Sequence, residues 1–213
     1  MKRPRLLLAD DHPLVLAGLQ SLLETECDVV GAVSDGRSLV EAASRLKPEV
    51  VVMDISLPLL NGIDAARQVK KEQPEMKILF LTMHSNLAYL KDALAAGATG
   101  YLLKTSAREE LLDAVQDVVR NRIHVTSGFG EEIIEQFERH PRSFTNSQSI
   151  LTIRQREILQ LVAEGRTAKE IAGILNVSLQ TVAFHKHQIM NKLGLRTTAE
   201  LTKYAIQEGL VTT

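Results

Sequence analysis

Asp10-Asp11, Asp54, Thr82 and Lys104 each follow or close a short apolar run in the first half of the chain. Brought together, they would give three carboxylates, a hydroxyl and an ammonium. Converging carboxylates repel one another, so such a group calls for a hard divalent cation with oxygen ligands, and Mg²⁺ suits it. A metal held this way, with open positions, binds phosphate oxygens. Lys104 and Thr82 could then neutralise and orient an incoming phosphoryl group while Asp54 attacks in line. Any one acid at a strand end, taken alone, reads more readily as a solvated loop residue or a helix N-cap. Four such ends in matching order weigh against that alternative.

The elements that must position these residues follow from periodicity. Apolar runs at Leu6–Ala9, Val29–Val33, Val50–Met53, Ile78–Leu81 and Gly100–Leu103 read as strands. Helical spacing lies between them, as in Leu16, Leu19, Leu22 and Leu23, with Gly and Pro at the junctions. Strands alternating with helices imply a doubly wound, five-stranded parallel sheet covered on both faces by right-handed crossovers. Ligands then bind beyond the carboxyl ends of the strands, where Asp10, Asp54, Thr82 and Lys104 fall. The last helix of this unit is expected from near Ala107 to about Val119.

Residues 121–148 read as a linker with one short helix over Glu131–Arg139, and residues 149–213 as a second, all-helical domain. Formal net charge is -1 over 213 residues. That figure conceals an asymmetry: residues 1–120 carry 14 Lys+Arg against 17 Asp+Glu, while residues 151–213 carry 8 against 5. A basic domain behind an acidic one suits a polyanionic partner for the second. The single Cys27 excludes an internal disulfide framework and reads as a small core residue. No apolar run reaches the roughly 18 residues of a membrane helix, and the run behind Met1-Lys2-Arg3 ends at once in Asp10, unlike a signal peptide. A cytoplasmic location without membrane contact is the expectation.

In the second domain Ile158, Leu161 and Val162 form one apolar face and Ile171, Ile174 and Leu175 another, followed by Val182, Ile189 and Leu193. Asn176-Val177-Ser178 reads as a tight turn with Ser178 as N-cap. Two helices so joined form a helix-turn-helix, whose second helix enters the major groove. Leu179–Leu193 would expose Gln180, Ala183, Phe184, Lys186, His187 and Lys192 to phosphates and base edges. A generic protein-binding bundle is the alternative.

Asp10-Asp11, Asp54 to Pro58, Asn61-Gly62, Thr82, Tyr101 and Lys104 together resemble the receiver domain of bacterial response regulators over about residues 4–120. Leu151-Thr152, Arg156-Glu157, Gly165, Lys169 to Ala172, Val177-Ser178, Thr181-Val182, His185 and Lys192 to Gly194 resemble the LuxR-type helix-turn-helix over about 149–213. The two halves together look like a NarL/FixJ family response regulator, with a flavodoxin-like receiver and a small all-α DNA-binding domain. The resemblance implies a two-component regulator of transcription rather than an enzyme. Asp54 would be the phosphoacceptor, and Asp11 and Asp54 would hold Mg²⁺ with help from Asp10 and the Ser56 backbone carbonyl. Thr82 would move toward the phosphoryl group while the Tyr101 ring turns inward. It also implies a histidine kinase as donor and homodimeric binding to double-stranded DNA, with Thr198–Gln207 as the dimer contact, and leaves room for RNA polymerase as a further partner. DNA contacts fall on Thr181, Ala183, Phe184, Lys186, His187 and Lys192. Ala183 departs from the family, where many members carry Lys, so base readout shifts toward Phe184 and His187. Beside Thr82, Met83 is expected to shield an acyl phosphate from water, and His84 to be a surface residue.

Overall fold

The computed structural model describes residues 3–106, 108–126, 129 and 150–211, which fall into two compact units. In the first, strands β1 (Arg5–Ala9), β2 (Asp28–Val33), β3 (Val50–Met53), β4 (Lys77–Thr82), β5 (Gly100–Leu103) and β6 (His124–Val125) form one parallel sheet. Its order is β2-β1-β3-β4-β5-β6. Helices α1 (Pro13–Leu23), α2 (Gly36–Leu46), α3 (Gly62–Glu72), α4 (Leu87–Ala95) and α5 (Arg108–Val119) connect the strands.

Central strands buried on both faces must be apolar at every position. Leu6, Leu7 and Leu8 of β1 and Val50 and Val51 of β3 are accordingly fully buried. Leu6, Leu8, Val50 and Val52 pack with Leu23 of α1 and Leu111, Val115 and Val118 of α5. On the opposite face a Cβ on Gly31 would lie 2.9 Å from the Leu46 side chain of α2 and 3.2 Å from that of Leu7. Cys27 is buried in the α1/α5 layer, and burial, with the nearby Glu26, pushes its thiol pKa up. It is the core residue the sequence suggests.

The sheet has six strands rather than the five expected. β6 occupies residues assigned from sequence to the linker, pairing Gly100 with His124 and Tyr101 with Val125. Two residues are too few to show an alternating pattern, so nothing in the sequence distinguishes them from loop. The strand is tied to α5 through His124 Nδ1, 3.0 Å from Asp117 Oδ2, and Arg122 also reaches Asp117. These partners, His124 foremost, hold the Asp117 carboxyl below its ordinary range. A depressed carboxylate pKa stabilises the fold above the unfolded value and loses that contribution as pH falls through the folded one. Acidification below about pH 4 should therefore lower the amide protection factors of β6 (observed exchange corrected for its intrinsic pH dependence) in the wild type, and less so in Asp117→Asn. Equal acid sensitivity in the two proteins would count against this tie.

The second unit contains α6 (Ile153–Ala163), α7 (Ala168–Leu175), α8 (Leu179–Leu193) and α9 (Thr198–Gln207). Thr152, Thr167 and Thr197 each close a capping box with the residue three positions on, and Ser178 accepts from the Thr181 N–H at 3.0 Å. Each cap stabilises its helix by roughly 1 kcal/mol. Asn176 and Gly194 end α7 and α8 in left-handed conformations. Ile158, Leu161, Ile171, Leu175, Val182, Ile189 and Leu201 form the shared core. α8 and α9 match the expected bounds because cap, apolar stripe and C-terminal Gly all agree. The helix expected over 131–139 and the start expected at Ala107 lie outside the described residues. Among the described residues no helix is long and apolar enough to cross a membrane.

Candidate functional site

The order β2-β1-β3 reverses direction at the β1/β3 boundary, and the ends of these two strands carry Asp10 and Asp54. Both carboxylates are buried, with 1% and 4% of the residue exposed. Neither would tolerate burial without partners. Asp10 Oδ1 accepts from the His12 N–H at 3.0 Å, and Asp54 Oδ1 from the Ile55 N–H at 2.6 Å. The remaining oxygens share one cation: Lys104 Nζ lies 2.6 Å from Asp10 Oδ2 and 2.8 Å from Asp54 Oδ2. Burial alone would lower the pKa of that ammonium. Its hydrogen bonds and charge contacts with the two aspartates outweigh the burial and raise it above the usual lysine value, so the site keeps its positive charge at neutral pH. Asp11 is exposed and pairs with His12 Nδ1 at 2.8 Å. Ligand atoms of Asp10, Asp11 and His12 lie within 4.8 Å of one another.

The backbone of β3 is held against α3 by the absence of a side chain. A Cβ on Gly62 would stand 2.2 Å from the Asp54 carbonyl oxygen, and the Gly62 N–H donates to Ile55 O at 2.8 Å. Backbone cannot rotate away as a side chain can. Gly62→Ala should therefore lose about 1–3 kcal/mol of stability and displace Asp54. Thermal unfolding of the variant at the wild-type midpoint would contradict this.

Thr82 and Tyr101, the residues expected to switch, are both fully buried. The Thr82 hydroxyl faces the His84 N–H at a long 3.4 Å. Tyr101 donates its hydroxyl to His84 O at 2.8 Å, and its ring packs edge-on against Phe129, centroids 5.4 Å apart. The Tyr101 ring thus lies inward in this structure. Burial, and next the neighbouring Tyr89 and Asp54, push its phenol pKa far above the ordinary value, so it remains a donor.

Two expectations for the β4–α4 loop change. His84 is not a plain surface residue: its Nε2 lies 2.8 Å from Ser56 Oγ and its ring stacks on Tyr89 at 4.0 Å. Burial, only partly offset by the Asp54 charge, lowers its pKa. Met83 has 65% of its surface exposed and projects to solvent. Phe129 and His12 were not singled out in the sequence. His12 was within reach as the third member of an Asp-Asp-His run; Phe129 carried no signal, standing alone in a polar, Gly-containing stretch.

In the helical unit the turn over residues 176–178 sets α8 after α7. Ala183, Phe184, His187 and Lys192 are exposed, and Thr181 and Lys186 partly so. Phe184 leaves 57% of its surface open. The Thr181 hydroxyl lies 2.9 Å from Ser178 Oγ, which makes it part of the helix cap.

A lysine shared by two buried strand-end aspartates, with a buried Thr on β4 and a buried Tyr on β5, is the architecture of a receiver; a capped helix-turn-helix after it makes a receiver-coupled DNA-binding protein. Residues 6–116 match the family model for the response regulator receiver domain, and residues 149–205 that for bacterial regulatory proteins of the luxR family. The chain is 36% identical to the transcriptional regulatory protein MctR of Rhizobium johnstonii, across 97% of this chain and 95% of that one. It is also 36% identical to the oxygen regulatory protein NreC of Staphylococcus haemolyticus, across 97% and 99%. The RcsB response regulator of Salmonella typhimurium superposes over the whole of both chains with TM-score 0.62 and 28% identity. RcsB bound to promoter rprA with a beryllofluoride phosphomimetic gives 0.58 and 29%, across 95% and 98%. The chain belongs to the NarL/FixJ-type response regulators, two-component proteins that bind DNA through a LuxR-type domain and regulate transcription.

Proposed function

We propose that Asp54 accepts a phosphoryl group from a histidine kinase, and that this controls dimerisation and sequence-specific DNA binding. The observation that carries the reading is Lys104 Nζ within hydrogen-bond distance of both Asp10 and Asp54. The pair is thus spaced to share a cation, and its donors are hard oxygens. Asp10, Asp11, Asp54 and the Ser56 carbonyl would hold Mg²⁺, which when bound neutralises charge on the phosphoryl oxygens. An Asp54 oxygen forms the bond to phosphorus while the bond from phosphorus to the phosphohistidine nitrogen breaks. Lys104 then trades its Asp54 contact for a phosphoryl oxygen.

Thr82 turns from His84 toward the new anion, and Tyr101 is already seated to fill the space behind it. The resulting population shift favours pairing of the DNA-binding domain with that of a second copy through Thr198–Gln207. The domains are a receiver from residue 4, extended past 120 to take in β6, a linker to 148, and a DNA-binding domain over 149–213. Thr181, Ala183, Phe184, Lys186, His187 and Lys192 lie on the DNA-facing helix, RNA polymerase is a downstream partner, and the protein works in the cytoplasm as a regulator without turnover. Footprinting genomic DNA with and without beryllofluoride tests the reading: phosphomimetic-dependent protection supports it, and identical protection in both lanes refutes it.

The lifetime of the phosphoryl group should depend on the Ser56–His84 bridge rather than on exposed Met83. His84→Ala is expected to hydrolyse its acyl phosphate faster than the wild type, and Met83→Ala at the wild-type rate. A faster Met83→Ala beside an unchanged His84→Ala would reverse the assignment.

A further inference from the structure

The outward face of α8 carries no lysine or arginine. At about 100° per residue, Leu179, Gln180, Ala183, Phe184, His187 and Asn191 fall within one arc of about 140°, and all six are exposed. Val182 and Ile189, each 1% exposed, lie on the opposite side. Lys186 lies about 20° beyond one edge of the arc and Lys192 about 80° beyond the other, toward the buried side, and both are engaged within their own domain. Lys186 Nζ donates to Thr198 Oγ1 at 2.9 Å. Lys192 Nζ donates to Gln155 Oε1 at 2.9 Å and to Ile150 O at 3.2 Å.

This distribution narrows what the face can read. Guanine is read chiefly by Arg or Lys reaching O6 and N7, and the arc has neither; adenine suits a Gln or Asn amide, and the thymine 5-methyl suits an apolar side chain. Gln180 supplies the amide. Leu179 and Phe184, with 55% and 57% of their surfaces exposed, lie in the first two turns of α8, the part of a recognition helix that meets base edges. An exposed phenyl ring gains its hydrophobic contribution only when something apolar covers it. We infer that α8 selects A·T pairs and that Phe184 reads the thymine methyl group, with Lys186, beside the arc, confined to phosphates at the groove edge.

The inference rests on the DNA-binding reading above, and the experiment separates the two. Full-length protein treated with beryllofluoride selects sites from random duplexes, and the selected sites are remade with uracil in place of each thymine. Base pairing is retained and only the methyl group is lost. The selected half-sites should centre on A·T pairs. Uracil at one or two positions per half-site should lower affinity about fivefold. Phe184→Ala, whose fold is checked by circular dichroism and thermal unfolding, should bind thymine and uracil duplexes alike. Wild-type indifference to uracil, or half-sites centred on G·C pairs, overturns the inference and leaves the DNA-binding reading standing. Failure to retain any duplex overturns both.

Discussion

Asp54→Asn should take up no phosphoryl group from acetyl phosphate, as read by intact-mass spectrometry, and its DNA binding should no longer respond to the donor. The substitution keeps the shape of the side chain and lets its amide oxygen accept from the Ile55 N–H, a bond of 2.6 Å in the wild type. It removes the charge that makes Asp54 a nucleophile. Lys104 would still be paired with Asp10 at 2.6 Å, so the site keeps a compensated cation and the fold should persist. One fewer buried carboxylate also relieves repulsion, so the unfolding midpoint should hold or rise. Uptake by Asp54→Asn at the wild-type level would remove Asp54 from the chemistry.

The second large effect is on stability. Lys104→Met leaves the buried carboxylates of Asp10 and Asp54 facing each other without the ammonium that bridges them. Removing one partner of a buried ion pair costs about 3–5 kcal/mol. The variant should unfold well below the wild type in EDTA. Millimolar Mg²⁺ should restore much of the difference, because a divalent cation can take up the same two carboxylates. Equal midpoints in EDTA would mean that the pair is solvated. A deficit that Mg²⁺ leaves untouched would mean that the carboxylates are not placed to share a metal.

Much of this protein is legible in its sequence because its signals are local or repeat. Short, fully apolar, β-branched runs such as Val50–Met53, flanked by Pro48 and Pro58, fit strands buried on both faces. The α8 boundaries follow from Ser178, an apolar stripe and Gly194 within one continuous stretch. Asp10, Asp54, Thr82 and Lys104 were identifiable because a parallel sheet brings the carboxyl ends of its strands to one edge, whatever the loops between them do.

What the tertiary structure alone decided are pairings between residues distant in sequence whose side chains give no sign of them. The sharing of Lys104 between Asp10 and Asp54 is set by sheet order. The bridge from His84 to Ser56 depends on the path of the β4–α4 loop, as does the exposure of Met83. β6, the packing of Phe129 on Tyr101 and the engagement of Lys186 with Thr198 are likewise contacts across the chain, and no composition or period encodes them. Local propensity and periodicity fix which segments form and which residues reach an edge or a face; packing between segments fixes which side chains then meet.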